Sequence, residues 1–212
     1  MHVQIRRWSL PRLVKRIVDV TGAAGLLLVL SPITLATALS VRLTMGSPVL
    51  FRQTRAGRGE RLFIIRKFRT MRDGPGPDAE RLTPAGRWLR RTSLDELPQL
   101  LNVLAGDMSL VGPRPLLPEY LPRYDVRQRR RHEALPGITG WAQIHGRNAV
   151  DWEERFDLDV WYVDHWTLWL DIKILVATVR IALGGKDISQ AGNATMPEFL
   201  GSQSAPIRER TT

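Results

Sequence analysis

The chain has 212 residues, 43% hydrophobic and 25% charged, with a formal net charge of +10. That balance suits one compact domain with a tail or a membrane segment, and so large a positive excess points to a polyanionic partner: nucleic acid, anionic lipid or a phosphate-rich substrate. The lack of cysteine excludes disulfides, thiol nucleophiles and thiolate metal sites, and the scattered histidines His2, His132, His145 and His165 lack the i,i+4 pairing of a histidine zinc site.

The first element is the uncharged run VTGAAGLLLVLSPITLATALSV, residues 20–41. Its length is enough for one helix to cross a bilayer. Arg6, Arg7, Arg12, Lys15 and Arg16 precede it; Arg42, Arg52, Arg55 and Arg58 follow it. Basic residues favour the cytoplasmic side, so a straight span would carry one basic flank across. Ser31-Pro32 removes the conflict. Pro32 has no N–H and its ring clashes with the Leu28 carbonyl, which bends the helix. Ser31 can return a hydrogen bond to a nearby carbonyl. Two halves of about 10 residues, roughly 15 Å each, then form a re-entrant helix that enters and leaves on one face. A spanning helix with a proline kink stays open as an alternative. A secretory signal cleaved at Ala36-Thr37-Ala38 also stays open, although the basic chain that follows argues against export.

Residues 48–71, PVLFRQTRAGRGERLFIIRKFRTM, predict a β-hairpin: two apolar, β-prone runs around a basic turn at Gly57 and Gly59. DGPGPDAER then reads as a loop. TPAGRWLRR predicts a short helix with Thr83 as N-cap and Pro84 at its first position, which gathers Arg87, Arg90 and Arg91. The stretch RRTSLDELPQLLNVL, residues 90–104, predicts a helix to about Leu104, ended by Gly106. Ser93-Leu94-Asp95-Glu96 fits a capping box, with Glu96 reaching back to Ser93; Pro98 offers a second start. Either way Asp95 and Glu96 lie at a helix N-terminus, where the dipole favours negative charge. From this motif alone a structural role is the simpler one.

GPRPLLPEYLP is proline-stiffened, and Pro115 holds Arg114 extended. LPGITGWAQIHGRN reads as a Gly-rich loop, whose Gly137, Gly140, Gly146 and Arg147 suit either a nucleotide contact or a plain turn. Asp107, Asp151, Glu153, Glu154, Asp157 and Asp159 are metal candidates by residue type, and solvated loop and helix charge is the preferred reading for them. Residues 152–183 predict one or two helices. Trp152, Trp161, Trp166 and Trp169 precede IKILVATVRIAL, which is too short and too charged to span. A core-facing helix and an interfacial one both fit it. From Lys186 the chain is polar and expected to be loosely ordered.

The fold class expected is therefore α+β, mainly helical with a β-hairpin. Residues 1–45 are expected to form a basic N-terminus and the re-entrant helix, 46–185 the main domain with C-terminal interfacial helices, and 186–212 a polar tail. A helix N-terminus also attracts phosphate. Lys67 and Arg69 from the hairpin, Arg90 and Arg91 upstream of the dyad, and Arg114 between two prolines together suit a diphosphate.

KRIVDV, the Ser-Pro break, VLFRQTRAGRGERLFIIRKFRTM, LRRTSLDELPQLLNVLAGDMSLVGPRP, PGITGWAQIHGRN and DLDVWYVDHWTLWLDIKIL resemble, in order, the bacterial sugar transferases known as monotopic polyprenyl-phosphate phosphoglycosyl transferases. The resemblance runs from about Lys15 to about Leu183, and ATMPEFLG resembles the tail of small members. Larger relatives carry extra membrane helices before this core, so the chain resembles the small type. The resemblance implies transfer of a sugar-1-phosphate from a UDP-sugar to polyprenyl (undecaprenyl) phosphate, with release of UMP. It implies Asp95 as a nucleophile forming a covalent phospho-sugar intermediate, and Glu96 beside it holding Mg²⁺. It also implies phosphate contacts at Lys67, Arg90, Arg91 and Arg114, with Arg69 as a further basic candidate, and the re-entrant break at Ser31 and Pro32. The expected setting is the cytoplasmic face of a bacterial inner membrane, in exopolysaccharide or glycoconjugate synthesis. Membrane lipid is an expected partner, nucleic acid is not, and a homodimer is compatible. The competing reading is a non-catalytic, membrane-anchored basic protein that binds anionic lipid or nucleic acid.

Overall fold

The computed structural model describes residues 10–145, 151–183 and 198–201. Two helices open it, α1 (Leu10–Val29) and α2 (Ser31–Met45), bent by 66° where they meet. The bend has a local cause. Pro32 cannot donate to the Leu28 carbonyl, and the Ser31 hydroxyl donates to it instead, at 2.8 Å. The halves are 20 and 15 residues long, longer than the uncharged run suggested, because α1 takes in Arg12, Lys15 and Arg16. Among the described residues no single helix is long and apolar enough to cross a membrane, and only the bent pair together has that composition. Leu28, Val29, Leu35 and Leu43 are each more than 70% exposed, so the pair presents apolar surface that the described fold leaves uncovered.

The expected hairpin forms from β1 (Leu50–Ala56) and β2 (Leu62–Phe68), antiparallel, with Leu50 opposite Phe68 and Ala56 opposite Leu62. Gly59 makes the turn in the left-handed region, at φ 61°. The free edge of β2 is closed by one side chain. Buried Asn102 accepts from the Arg66 N–H at 3.1 Å and donates to the Ile64 carbonyl at 2.8 Å, as a neighbouring strand would.

The loop expected after the hairpin contains a helical turn, α3 (Asp78–Arg81), with Asp78 and Glu80 suited to its N-terminal end. Next comes α4 (Pro84–Thr92), where Thr83 Oγ1 accepts the Gly86 N–H at 2.9 Å as the expected N-cap. The long helix expected from Ser93 is broken. A 3₁₀ turn over Leu94–Glu96 leads into α5 (Gln99–Ala105), which ends at Gly106 with φ 94°. β3 (Ser109–Val111), a 3₁₀ stretch over Pro118–Arg123 and α6 (Val126–Arg129) follow. The Gly-rich segment after Leu135 is not a plain loop. It supplies β4 (Gly137–Thr139), parallel to β3, and α7 (Trp141–His145). Where the sequence leaves one or two C-terminal helices open, there are two, α8 (Trp152–His165) and α9 (Leu168–Leu183).

The main core joins Ala23 of α1, Ile65, Leu100, Val103, Met108, Tyr162 and Ile174. A second cluster is aromatic: Tyr120, Tyr124 and Phe156, with Phe199 from the far end of the chain. Part of the tail expected to be loose is therefore docked, with Arg123 donating to Glu198 at 2.7 Å and to the Phe199 carbonyl. The rest of that tail lies outside the described residues.

One close approach fixes α4 over the hairpin's exit. A Cβ on Gly86 would lie 1.9 Å from the Thr70 carbonyl oxygen. Gly86→Ala is expected to cost about 1–3 kcal/mol, seen as a lower Tm. Gly25→Ala, where an added Cβ meets nothing within 4 Å, is expected to leave Tm unchanged or slightly higher.

Candidate functional site

The dyad sits where two short helices are forced apart. Ser93 takes the left-handed conformation, φ 56° and ψ 17°, and closes α4 with its N–H on the Arg90 carbonyl at 3.2 Å. It makes no side-chain cap. The capping box expected of Ser93 and Glu96 is therefore absent, because Glu96 is drawn elsewhere. Lys67 Nζ on β2 meets Glu96 Oε1 at 2.6 Å, and Arg114 Nη2 meets the same oxygen at 2.9 Å. Both cations lie on Oε1, so Oε2 carries neither.

Asp95 is 7% exposed. It makes no hydrogen bond or ion pair among the described residues. Its neighbourhood pulls in two directions. Burial and the adjacent Glu96 charge push its carboxyl up to about 6, against the opposing pull of Lys67, Arg90 and Arg114. Burial would also raise Glu96, but Arg114 and Lys67 outweigh it and hold Glu96 well below the usual carboxylate range. Two adjacent carboxyls are thus driven apart: one clamped and ionised, the other ionised near neutrality with free lone pairs.

Arg114 is itself held from behind. Its carbonyl accepts from Arg131 Nη2 at 2.7 Å, and Arg131 grips Asp159 Oδ2 at 3.0 and 2.7 Å. Both side chains of this pair are 2% exposed. The proline-rich segment is further pinned by the β3–β4 approach, where the Gly112 N–H donates to Thr139 at 2.9 Å and the Gly137 N–H to Pro113 at 3.0 Å. A Cβ on Gly137 would lie 2.0 Å from the Gly112 nitrogen, so only glycine allows the contact.

The other expected phosphate contacts separate. Arg90 is held by Thr70 Oγ1 at 3.1 Å and acts electrostatically on Asp95. Arg91 is exposed on α4. Arg69 points away from the dyad's cations: it is buried, pairs with Asp73 at 2.9 Å and donates to the Met45 carbonyl at the end of α2. Of the acidic alternatives, Asp107 accepts from Asn102 at 3.2 Å, Asp151 caps α8, and Asp157 pairs with Arg127 at 2.9 Å. Asp159 is not the solvated charge expected but half of the buried pair with Arg131. Arg131 and its pairing with Asp159 are what sequence reasoning missed; RQRRRHE looks like a solvated basic run, and only the fold shows one of its arginines buried in that pair. Gly146 and Arg147 lie outside the described residues.

Among the described residues no three acidic, histidine or cysteine side chains gather. Two adjacent carboxylates do not make a closed cage, yet they suit Mg²⁺, which takes one or two carboxylates and completes its shell with substrate phosphate and water.

Residues 10–185 match the family model described as bacterial sugar transferase. The chain is 56% identical over 196 residues to the uncharacterised sugar transferase EpsL of Bacillus subtilis (strain 168), covering 90% of this chain and 97% of EpsL. It is 45% identical over 181 residues to the UDP-glucose:undecaprenyl-phosphate glucose-1-phosphate transferase of Caulobacter vibrioides, covering 78% and 68% of the two chains. It is 40% identical over 195 residues to the undecaprenyl-phosphate galactose phosphotransferase of Salmonella typhimurium, covering 81% of this chain but 41% of that longer protein.

The raised Asp95 carboxyl is directly measurable. Carbon-13 NMR of the aspartate carboxyls is expected to show one titrating near pH 6. In Arg90→Gln, which removes a cation that lowers it, the midpoint is expected to move to higher pH. A midpoint near 4 in the parent protein would contradict the buried, Glu96-coupled site.

Proposed function

This chain belongs to the bacterial sugar transferase family, and from that premise we propose that it moves a sugar-1-phosphate from a UDP-sugar to a polyprenyl phosphate such as undecaprenyl phosphate, releasing UMP. The observation that carries this reading is the division of labour in the dyad: Glu96 clamped by Lys67 and Arg114, and Asp95 buried beside it with no partner of its own.

An Asp95 carboxylate oxygen attacks the phosphorus that bears the sugar. The bond from that phosphorus to the bridging oxygen breaks, and its electron pair leaves with UMP. No proton moves. An oxygen of polyprenyl phosphate then attacks the same phosphorus, Asp95 departs as a carboxylate, and a polyprenyl-diphosphate-sugar results. The covalent step lets two bulky anions react in turn.

The main obstacle is charge. A carboxylate meeting a phosphate at 4 Å is opposed by about 4 kcal/mol at an effective dielectric near 20, roughly a thousand-fold in rate. Lys67, Arg90 and Arg114 lie where they offset it. Glu96 Oε2, with Asp95, would hold Mg²⁺, which supplies further neutralisation of the phosphoryl oxygens.

The bent apolar pair α1–α2 is the proposed membrane element, entering and leaving on one face. Its uncovered leucines support this, as do basic residues at both ends. Exposed Trp169, Ile172, Val176 and Val179 on α9 suit the membrane boundary. The protein then sits on the cytoplasmic face of a bacterial inner membrane, where a soluble donor and a lipid acceptor meet, at the first membrane step of an exopolysaccharide or glycoconjugate pathway.

Asp95→Asn is expected to lower Mg²⁺-dependent UMP release from UDP-sugars by about a thousand-fold or more, together with transfer to polyprenyl phosphate. Substantial turnover in that variant would remove Asp95 from the nucleophile's role. No UMP release from any UDP-sugar, with salt-sensitive binding to nucleic acid instead, would favour a non-catalytic protein. For topology, single cysteines at His2 and at Ser47 in this cysteine-free chain are expected to be labelled from the same side of the membrane. Labelling from opposite sides would restore a kinked span.

A further inference from the structure

The hairpin carries a second inward-facing cation that the dyad does not use. Register sets Phe51 opposite Lys67, Gln53 opposite Ile65 and Arg55 opposite Phe63. Directly opposite residues share a face, so Lys67 and Arg55 stand at the two ends of one row. The four residue steps from Phe51 to Arg55 separate those ends by about 13 Å. Arg114 is a charged neighbour of both ends. It meets Glu96 beside Lys67 and is also the strongest charged neighbour of Arg55.

Arg55 is poorly satisfied where it stands. Its Nη2 donates to Gln53 Oε1 at 2.5 Å, its Nε is buried with no hydrogen-bond partner, and it makes no ion pair among the described residues. Burial lowers its pKa to about 10, and Arg114 pushes the same way, with Glu119 and Glu96 only partly opposing them. Arg155, stacked over the Trp152 ring at 5.4 Å, adds positive charge near Arg114. Holding guanidinium groups together away from water is costly. An arriving anion would relieve both the lost hydration and the repulsion.

We propose that Arg55 binds the phosphate that departs with the nucleoside, while Lys67 and Arg90 face the phosphoryl group that Asp95 takes. This rests on the UDP-sugar reading above. A diphosphate lying along the row would place its two phosphates toward opposite ends. As the bond to the bridging oxygen breaks, negative charge collects on the departing phosphate. A guanidinium presents its N–H groups in a fork that matches phosphate oxygens. Arg55 is in this account a leaving-group ligand, a role separate from those of the dyad's own cations.

The test is titration of UMP onto the full-length protein in detergent, by calorimetry, for the parent, Arg55→Gln and Arg55→Lys. Loss of a charge-assisted contact is expected to raise the UMP Kd about tenfold to a hundredfold in Arg55→Gln. Arg55→Lys, which keeps charge without the fork, is expected to fall between the other two. Uridine, which has no phosphate, is expected to bind all three proteins alike by ligand-observed NMR, which also reports that the site is folded. Unchanged UMP affinity in Arg55→Gln, or equal losses for UMP and uridine in both variants, would overturn the proposal. Failure of the donor reading shows separately, as a parent protein that releases no UMP from any UDP-sugar.

Discussion

The clamp on Glu96 is the constraint from which the rest of the site follows. A carboxylate this deeply placed would protonate unless paired, and here two cations from distant parts of the chain keep it charged. Lys67 is 29 residues away and Arg114 18. Each needs its own scaffold: the hairpin for Lys67, the β3–β4 approach and the Arg131–Asp159 pair for Arg114. The fixed charge on Glu96 then acts on Asp95. It adds to burial in raising the Asp95 carboxyl, so the two neighbours are forced into different roles by one shared environment. The same logic separates paired carboxyls wherever their surroundings differ.

Arg114 links the two halves of that scaffold. Its side chain reaches Glu96 while its carbonyl is held by Arg131, so the guanidinium is set by backbone position as much as by its own pairing. Breaking such a buried pair strands a charge, which is far more disruptive than losing a surface one. The stacking of Tyr124 and Phe156 around the Arg131 guanidinium, at 5.9 and 5.6 Å, keeps water from it. Phe199 closes that aromatic cluster from the chain's far end. A chain segment about a hundred residues from the dyad in sequence thus contributes to the walls that hold Arg114 in place.

The elements readable from sequence were those with long or strongly typed signals. The proline break, the hairpin around Gly57 and Gly59, the Thr83-Pro84 cap and the two C-terminal helices each rest on several residues acting together. What escaped notice was short or non-local. β4 has three residues, and its glycines signal a turn unless the partner strand is known. Ser93 to Glu96 spells a capping box, yet tertiary pairing of Glu96 overrides the local preference, and Ser93 ends one helix rather than starting another. Arg131 looks like its exposed neighbours in RQRRRHE, and Asp159 like any helix carboxylate; nothing in their spacing says that they meet. By type and position Arg69 belongs with the phosphate contacts, yet it lies just past the end of β2, paired with Asp73 and with the Met45 carbonyl at the end of α2.

The relation between the apolar helices and the site is set just as firmly. Arg16 on α1 donates to the Val103 and Leu104 carbonyls at 2.6 and 3.0 Å, satisfying the C-terminal end of α5. Lys15, one residue earlier, pairs with Asp171 of α9 at 2.6 Å and donates to the Val111 carbonyl at 3.2 Å. The basic stretch at the foot of α1 therefore has a structural task of its own. It bolts the apolar pair to α5, to β3 and to α9. Since α5 begins three residues after Glu96, the depth of the dyad relative to the uncovered apolar surface is a property of the fold. Under the proposed reaction between a water-borne donor and a lipid-borne acceptor, a fixed depth would let Asp95 serve both without a large domain movement.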